Sequence, residues 1–176
     1  FNNIVDINAA FELVREFEDT AAVIIKHTNP CGAALGKDIH EAYLRALEAD
    51  PVSAFGGIVA FNREVDQAVA EEIAKMFLEA VIAPSYSKEA LDVLAGKKNL
   101  RLLETGDMNN SESQVDIKKV NGGFLLQDID TGKITATDLR TVSKRQPTEE
   151  EIDEMLFAWN LVKHVKSNAI VVTKER

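Results

Sequence analysis

The stretch that decides the fold is Ala21-Ala22-Val23-Ile24-Ile25-Lys26-His27, an apolar run that ends abruptly in two nitrogen-bearing side chains. Its five apolar residues, three of them β-branched, predict a short strand buried on both faces. Residues 26–36 hold glycine, proline and polar side chains, which favour a loop. We therefore expect a cation and an imidazole together at the carboxyl end of a buried strand, where ligand sites of open α/β sheets gather.

The segments around this strand alternate between helical and extended patterns. Apolar residues at helical spacing predict a helix over residues 8–19, with Asn8 as its cap. This alternation favours an α/β fold with a largely parallel sheet and helices on its faces. The other elements predicted in this half are helices that start from Asp38, run from Asp66 towards Ala80 and cover 88–95, and strands over 57–61, 81–83 and 100–104.

The second half of the chain is less regular. Residues 105–113 are polar and predict a surface loop. Two β-like runs, 115–120 and 124–128, flank a turn signal, although the spacing does not fix a hairpin. Thr148 and Glu151 form a capping box ahead of a helical segment at 152–165, and a last strand is predicted at 168–173.

Composition excludes several classes of protein. The chain has 176 residues, 45% of them hydrophobic, which suits one compact domain. Its net charge of −9 provides no basic field for nucleic acid. No apolar run approaches the roughly 20 residues that a membrane span needs. With a single cysteine, Cys31, and no export signal, we expect a soluble protein of the reducing cytoplasm.

The pair Lys26 and His27 is the strongest chemical signal in the sequence. An imidazole can accept or donate a proton near neutral pH, and an adjacent ammonium can stabilise negative charge on a carbonyl oxygen. Together they suit acyl transfer. The same two residues also fit an ordinary solvated loop, and spacing alone leaves both interpretations open.

A zinc site and a thiol nucleophile are the alternatives at the same stretch. Zinc deaminases need a His-x-Glu motif and a second cysteine three residues after the first. Here Asn29 stands in place of the glutamate and Ala34 in place of the second cysteine, so no metal is expected. Cys31 could act as a nucleophile near His27, but a lone cysteine more often packs inertly, and we prefer that interpretation.

Three further residues are candidates for binding a ligand, and two of them, Glu79 and Asn168, could face the same rim as His27. Gly56 stands in a paired-glycine turn that would let a backbone approach a ligand closely. Glu79 precedes one predicted strand, and Asn168 begins another. Each also fits a plain turn, cap or exposed side chain. His40 and His164 fall within helical periods and lack the strand-end setting.

The chain resembles the bifunctional purine-biosynthesis family that combines aminoimidazole carboxamide ribonucleotide formyltransferase with IMP cyclohydrolase. The resemblance extends over nearly all 176 residues, in five separated blocks in the right order. The matching blocks are Lys26-His27-Thr28-Asn29-Pro30-Cys31-Gly32, 50–61, 77–84, 121–128, and 157–172 with its Lys163-His164-Val165-Lys166-Ser167-Asn168 centre.

The resemblance implies a three-layer α/β/α fold, cytidine-deaminase-like but without zinc. Residues 1–176 would be the first, N-terminal part of the formyltransferase domain. The cyclohydrolase domain and the second half of the formyltransferase domain would be absent, so this fragment alone is expected to be inactive. The family resemblance also implies a homodimer whose active sites are shared between subunits.

The resemblance further implies a role for each candidate residue. His27 would be the proton acceptor and Lys26 would stabilise the transition state. Gly56, Glu79 and Asn168 would bind the nucleotide, with Glu79 the looser match because some relatives carry Asp there. The formyl donor would be 10-formyltetrahydrofolate, with no metal. The competing hypotheses are a non-catalytic nucleotide-binding or dimerisation module of the same fold and a metal-dependent nucleoside deaminase.

Overall fold

The computed structural model describes residues 1–108 and 115–176. It contains a five-stranded sheet, a separate two-stranded hairpin, six α-helices and one 3-10 turn. The strands are β1 (Ala21–Lys26), β2 (Asn29–Leu35), β3 (Ile58–Phe61), β4 (Ala80–Ala83), β5 (Arg101–Glu104), β6 (Val115–Val120) and β7 (Gly123–Asp128). The helices are α1 (Asn2–Val14), α2 (Ile39–Ala49), α3 (Pro51–Ala54), α4 (Gln67–Ala74), α5 (Lys88–Leu94) and α6 (Glu149–Val162), and the 3-10 turn is Ala136–Asp138.

The main sheet has the strand order β2-β1-β3-β4-β5 and is mixed. Strands β3, β4 and β5 are parallel to one another, whereas β1 is antiparallel to both of its neighbours. The expectation of a largely parallel sheet is therefore wrong at β1. For the β1–β2 pair the reason is local, because only two residues join these strands and so short a connection allows only antiparallel pairing.

The strand directions bring several chain segments to one edge of the sheet. Ile25 pairs with Ile58, and Ile58 pairs with Ala80, so β1 ends where β3 and β4 begin. The first residue of β5, Arg101, pairs with Ala80 at the same level. We call this the Lys26 edge: the end of β1 together with the starts of β3, β4 and β5.

Helices cover both faces of the sheet, as a three-layer α/β/α fold requires. On one face, α2, α4 and α5 pack against alternate strand residues such as Ile24, Val59 and Val81. On the other face, α1 and α6 pack against the intervening residues, such as Val23 and Ile82. Strands β1, β3 and β4 are thus buried on both sides, which explains their continuous apolar sequences.

The segment after β1 is largely a strand, not the predicted loop. Residues 29–35 form β2, with a bulge where the register shifts between Ile24 and Ile25. Pro30 lies in this strand, and β2 is an edge strand, the position where a residue without an N–H is tolerated. The glycine, proline and polar residues of this segment therefore predicted a loop where the structure has a strand.

Several other element boundaries differ from the sequence predictions. The first helix is Asn2–Val14 and not 8–19, and the helix after Asp66 ends at Ala74, well short of Ala80. Pro51–Ala54 forms a further short helix, which was not among the predicted elements. The strand predicted over 168–173 is absent, and Val172 is 92% exposed. Among the described residues this segment pairs with no strand, although it lines a cavity together with the edge strand β2.

The helix caps predicted at Asp38, Asp66 and Thr148 are confirmed, whereas the cap predicted at Asn8 is wrong, because Asn8 lies inside α1 and the N-cap is Phe1. Asp38 accepts the N–H of Glu41, Asp66 accepts that of Val69, and Thr148 forms its capping box with Glu151. The predicted loop at 105–113 falls in part outside the described residues. None of the helices in 1–108 and 115–176 combines the length and apolar composition that crossing a membrane requires.

Candidate functional site

The turn between β1 and β2 carries the candidate histidine. His27 and Thr28 are the two central residues, and their φ angles are 53° and 62°. Positive φ at both positions is the sign pattern of a type I′ hairpin turn. Thr28 is β-branched, so this conformation is strained for it. His27 is exposed at the tip, which leaves its ring accessible to a ligand.

Side chains from distant parts of the chain hold this turn. The Thr28 N–H donates to Asp6 Oδ1 at 2.8 Å. Lys166 Nζ donates to the His27 carbonyl at 3.1 Å, and the Lys166 N–H donates to Asn29 Oδ1 at 3.1 Å. The turn is therefore fixed by helix α1 on one side and by the segment after α6 on the other.

Lys26 reaches across the Lys26 edge to the loop before β3. Its Nζ donates to the carbonyl of Phe55 at 2.7 Å. A Cβ added to Gly56 would lie 3.1 Å from this Nζ, and the φ of Gly56 is +67°. Gly56 is therefore required both by its backbone conformation and by the closeness of the ammonium. The structure thus brings together Lys26 and Gly56, two of the predicted site residues.

Glu79 lies at the same edge, and its carboxylate already accepts hydrogen bonds from other side chains. Its N–H donates to the Gly57 carbonyl at 3.0 Å, which places it next to the Gly56 loop. Its carboxylate accepts hydrogen bonds from Arg101 Nη1 at 2.8 Å and from Asn3 Nδ2 at 3.2 Å. A ligand that bound this carboxylate would have to share it with Arg101.

Asn168 lies two residues beyond Lys166, in irregular and exposed chain. Its neighbour Lys166 contacts the His27 turn, so the sequence block that contains Asn168 reaches the candidate site. The structure provides no strand to orient its side chain. Sequence analysis missed Asp6 and Lys166 as parts of this site, and only the match of the 163–168 block pointed towards Lys166.

An ion cluster fastens the end of α6 to the segment that follows α1. Glu16 Oε1 lies 2.8 Å from Lys163 Nζ and 3.1 Å from His164 Nε2. Burial raises the pKa of Glu16, but hydrogen bonds from His164 and Lys163 outweigh it and lower that pKa to about 2. His164, expected on a helix surface, is thus a partner in a partly buried ion cluster. This cluster anchors the chain just before Lys166.

The other two candidates from the sequence were Cys31 as a nucleophile and a metal site. Burial raises the pKa of the Cys31 thiol to about 11, which keeps it protonated at neutral pH. Residues 1–108 and 115–176 contain no group of three or more His, Cys, Asp or Glu side chains arranged to hold a metal ion.

A cavity of about 340 Å³ opens close to the candidate residues. Phe77 lines it, and Phe77 also contacts the space above Gly56. The ring of Phe55 packs against that of Phe77, with centroids 5.5 Å apart. The rest of the wall is Met76, Leu78 and residues 96–100, including Lys97 and Lys98. A concave surface with an aromatic and a cationic side therefore adjoins the Lys26 edge.

Comparison with known proteins identifies the family to which the chain belongs. The sequence model of the family described as "AICARFT/IMPCHase bienzyme" matches residues 1–176, so the chain belongs to that family. Membership places it among the enzymes of purine biosynthesis.

Parts of several solved structures are also similar to part of this chain. One is RibD of Acinetobacter baumannii, with 15% identity over 59% of this chain and 33% of that chain, at a TM-score of 0.42. Another is a dCMP deaminase of the cyanophage S-TIM5, with 11% identity over 60% of this chain and 99% of that chain, at a TM-score of 0.46. The chain thus spans about a third of the RibD protein.

Proposed function

We propose that this chain forms the first part of a formyltransferase domain that acts on aminoimidazole carboxamide ribonucleotide in IMP biosynthesis. The observation that carries the proposal is the juxtaposition of Lys26, His27 and Gly56 at one sheet edge in a member of the bienzyme family. On this proposal the full-length protein also carries IMP cyclohydrolase and the second half of the formyltransferase domain, and it works as a cytoplasmic homodimer with shared sites. The chain alone is not expected to turn over substrate.

His27 is proposed as the base. The 5-amino group of the nucleotide is a poor nucleophile because its lone pair is delocalised into the ring and the carboxamide. It attacks the formyl carbon of 10-formyltetrahydrofolate while His27 removes one of its protons. The new N–C bond forms a tetrahedral oxyanion, the bond between the formyl carbon and N10 then breaks, and the proton passes to N10 of tetrahydrofolate.

Lys26 is proposed to stabilise the oxyanion. Its ammonium is held beside Gly56 by the Phe55 carbonyl, so its position is set before substrate binds. A fixed cation at a developing negative charge lowers the barrier by on the order of 3 kcal/mol. Gly56, Glu79 and Asn168 are proposed nucleotide contacts, and the adjoining cavity offers Lys97 and Lys98 as complements to phosphate.

The test is the rate of formyl transfer by the full-length protein with His27→Ala. Consumption of 10-formyltetrahydrofolate should slow by a factor on the order of 10² or more. His40→Ala is the matched control, because that imidazole pairs with Glu72 on the helical layer and should leave the rate unchanged. An unaltered rate in His27→Ala would reject the catalytic assignment and favour a non-catalytic binding or assembly module.

A further inference from the structure

One peptide group in the candidate site is held at both of its polar atoms. The peptide between His27 and Thr28 accepts a hydrogen bond from Lys166 Nζ at its carbonyl and donates its N–H to Asp6 Oδ1. The two side chains come from opposite ends of the sequence, 22 residues before and 139 residues after their partners. Together they fix the orientation of this single peptide plane.

The orientation of this peptide sets the conformation of the turn. Positive φ at Thr28 is unfavourable for a β-branched residue, and such strain persists only where the surroundings enforce it. A type II′ turn needs positive φ only at its first central residue, so rotation of this peptide would release Thr28. Such a rotation would break both hydrogen bonds and turn the backbone that carries His27.

We propose that Asp6 is a positioning residue for the base. By accepting the Thr28 N–H, it holds the strained turn and so fixes the backbone that carries the imidazole of His27. This inference rests on the proposed function. Asp6 does not touch the reacting atoms, so its effect passes through the geometry of the turn.

The first experiment separates positioning from simple loss of stability. In the full-length protein, Asp6→Ala should lower kcat for formyl transfer by roughly 10- to 100-fold, because small misplacements of a base are costly. KM for the nucleotide should change by less than about threefold. Asp6→Asn keeps an acceptor oxygen and should restore most of kcat. The control is Glu12→Ala, an α1 carboxylate that pairs with Arg15 on its own helix.

A second-site variant gives a result that a merely structural role would not produce. Glycine adopts positive φ without steric cost, so Thr28→Gly removes the strain that Asp6 has to hold. Adding Thr28→Gly to Asp6→Ala should bring kcat back to within about threefold of the Thr28→Gly protein. If Asp6 acted only by packing α1, the double variant would stay as slow as Asp6→Ala.

The outcomes distinguish this inference from the proposed function. An unchanged rate in His27→Ala removes the catalytic base, and the positioning claim goes with it. A large loss in His27→Ala together with an unchanged kcat in Asp6→Ala overturns the positioning claim alone. If adding Thr28→Gly does not restore the kcat of the Asp6→Ala protein, the positioning claim is overturned as well. If Asp6→Ala fails to fold, Asp6→Asn takes its place, and its kcat is compared with and without Thr28→Gly in the same way.

Discussion

Gly56 is the residue on which the geometry of the candidate site depends most directly. Its φ is +67°, and a methyl group there would lie 3.1 Å from Lys26 Nζ and 3.4 Å from the ring of Phe77. We predict that Gly56→Ala lowers the free energy of unfolding by about 1 kcal/mol or more and displaces the ammonium, which should weaken nucleotide binding and slow transfer. Thermal unfolding and steady-state kinetics measure the two effects.

Gly106→Ala is the control for that prediction. Its φ is +66°, nearly the same as that of Gly56, but no atom of a non-adjacent residue in 1–108 or 115–176 lies within 4 Å of the added methyl group. Gly106→Ala should therefore lower the free energy of unfolding through its backbone conformation and leave the rate of formyl transfer unchanged. Equal kinetic losses in both variants would mean that contact with Lys26 is irrelevant.

Glu16 makes a pH-dependent contribution to stability. Its folded pKa of about 2 lies below its ordinary value of 4.5, so the stabilisation is fully present above that ordinary value and is lost as pH falls towards 2. Its side chain is only 12% exposed. We predict that Glu16→Gln lowers the free energy of unfolding by about 3 kcal/mol at neutral pH, and that the difference narrows in acid.

Urea unfolding across this pH range is the measurement for Glu16. Glu12→Gln serves as the control, because its carboxylate lies 3.6 Å from Arg15 on the same helix and should contribute about 0.5 kcal/mol or less. A constant difference between the Glu16→Gln and native proteins from neutral to acid pH would contradict the ionic origin of this stabilisation.

At the scale of elements, the β1–β2 hairpin depends on close contact with α2. A Cβ at Gly32 would lie 2.0 Å from the backbone carbonyl oxygen of Ala46, so strand and helix would have to separate. We predict that Gly32→Ala destabilises the protein by about 3 kcal/mol. A Cβ at Gly123 in β7 would have no atom within 4 Å from the part of the chain that the structure describes, so Gly123→Ala should change stability by about 0.5 kcal/mol or less. Similar midpoints in denaturant for the two variants would contradict this packing.

The elements also show what the sequence could and could not predict. Three helix caps could be predicted because each depends on a hydrogen bond to the N–H only three residues along the chain. These are the caps at Asp38, Asp66 and Thr148. Strand β2 was not, because Pro30 and Gly32 resemble a loop until an edge position and a close helix explain them. The antiparallel pairing of β1 with β2 follows from a turn with positive φ at His27 and Thr28, which residue type gives no reason to expect.

The main residues of the candidate site could be predicted from the sequence, but the residues that hold the turn in place could not. Lys26 and His27 stand together in the sequence, and Gly56 precedes the neighbouring strand, so local patterns indicated them. Asp6 and Lys166 reach the turn from 22 and 139 residues away, and contacts over such separations follow only from the fold. Glu79 was expected to face a ligand, and its bond to Arg101 depends on the register of β4 with β5.

At the scale of the whole molecule, burial is uneven. Strands β3 and β4 are buried throughout, whereas every residue of the hairpin β6–β7 is exposed, including Phe124 at 67% and Leu126 at 67%. An isolated two-stranded hairpin is marginally stable. We predict that amides of β6–β7 exchange hydrogen much faster than those of β3 and β4. Equal protection, measured by mass spectrometry, would show that another surface covers the hairpin.

The position of the bound nucleotide relative to the Lys26 edge decides whether the proposed chemistry is correct. The most direct measurement is a crystal structure of the full-length protein with aminoimidazole carboxamide ribonucleotide bound. We predict that its 5-amino nitrogen lies within hydrogen-bonding distance of the His27 imidazole, with Lys26 and Gly56 beside the reacting groups. A nucleotide bound elsewhere, with His27 and Lys26 contacting only solvent and protein, would contradict the proposed function.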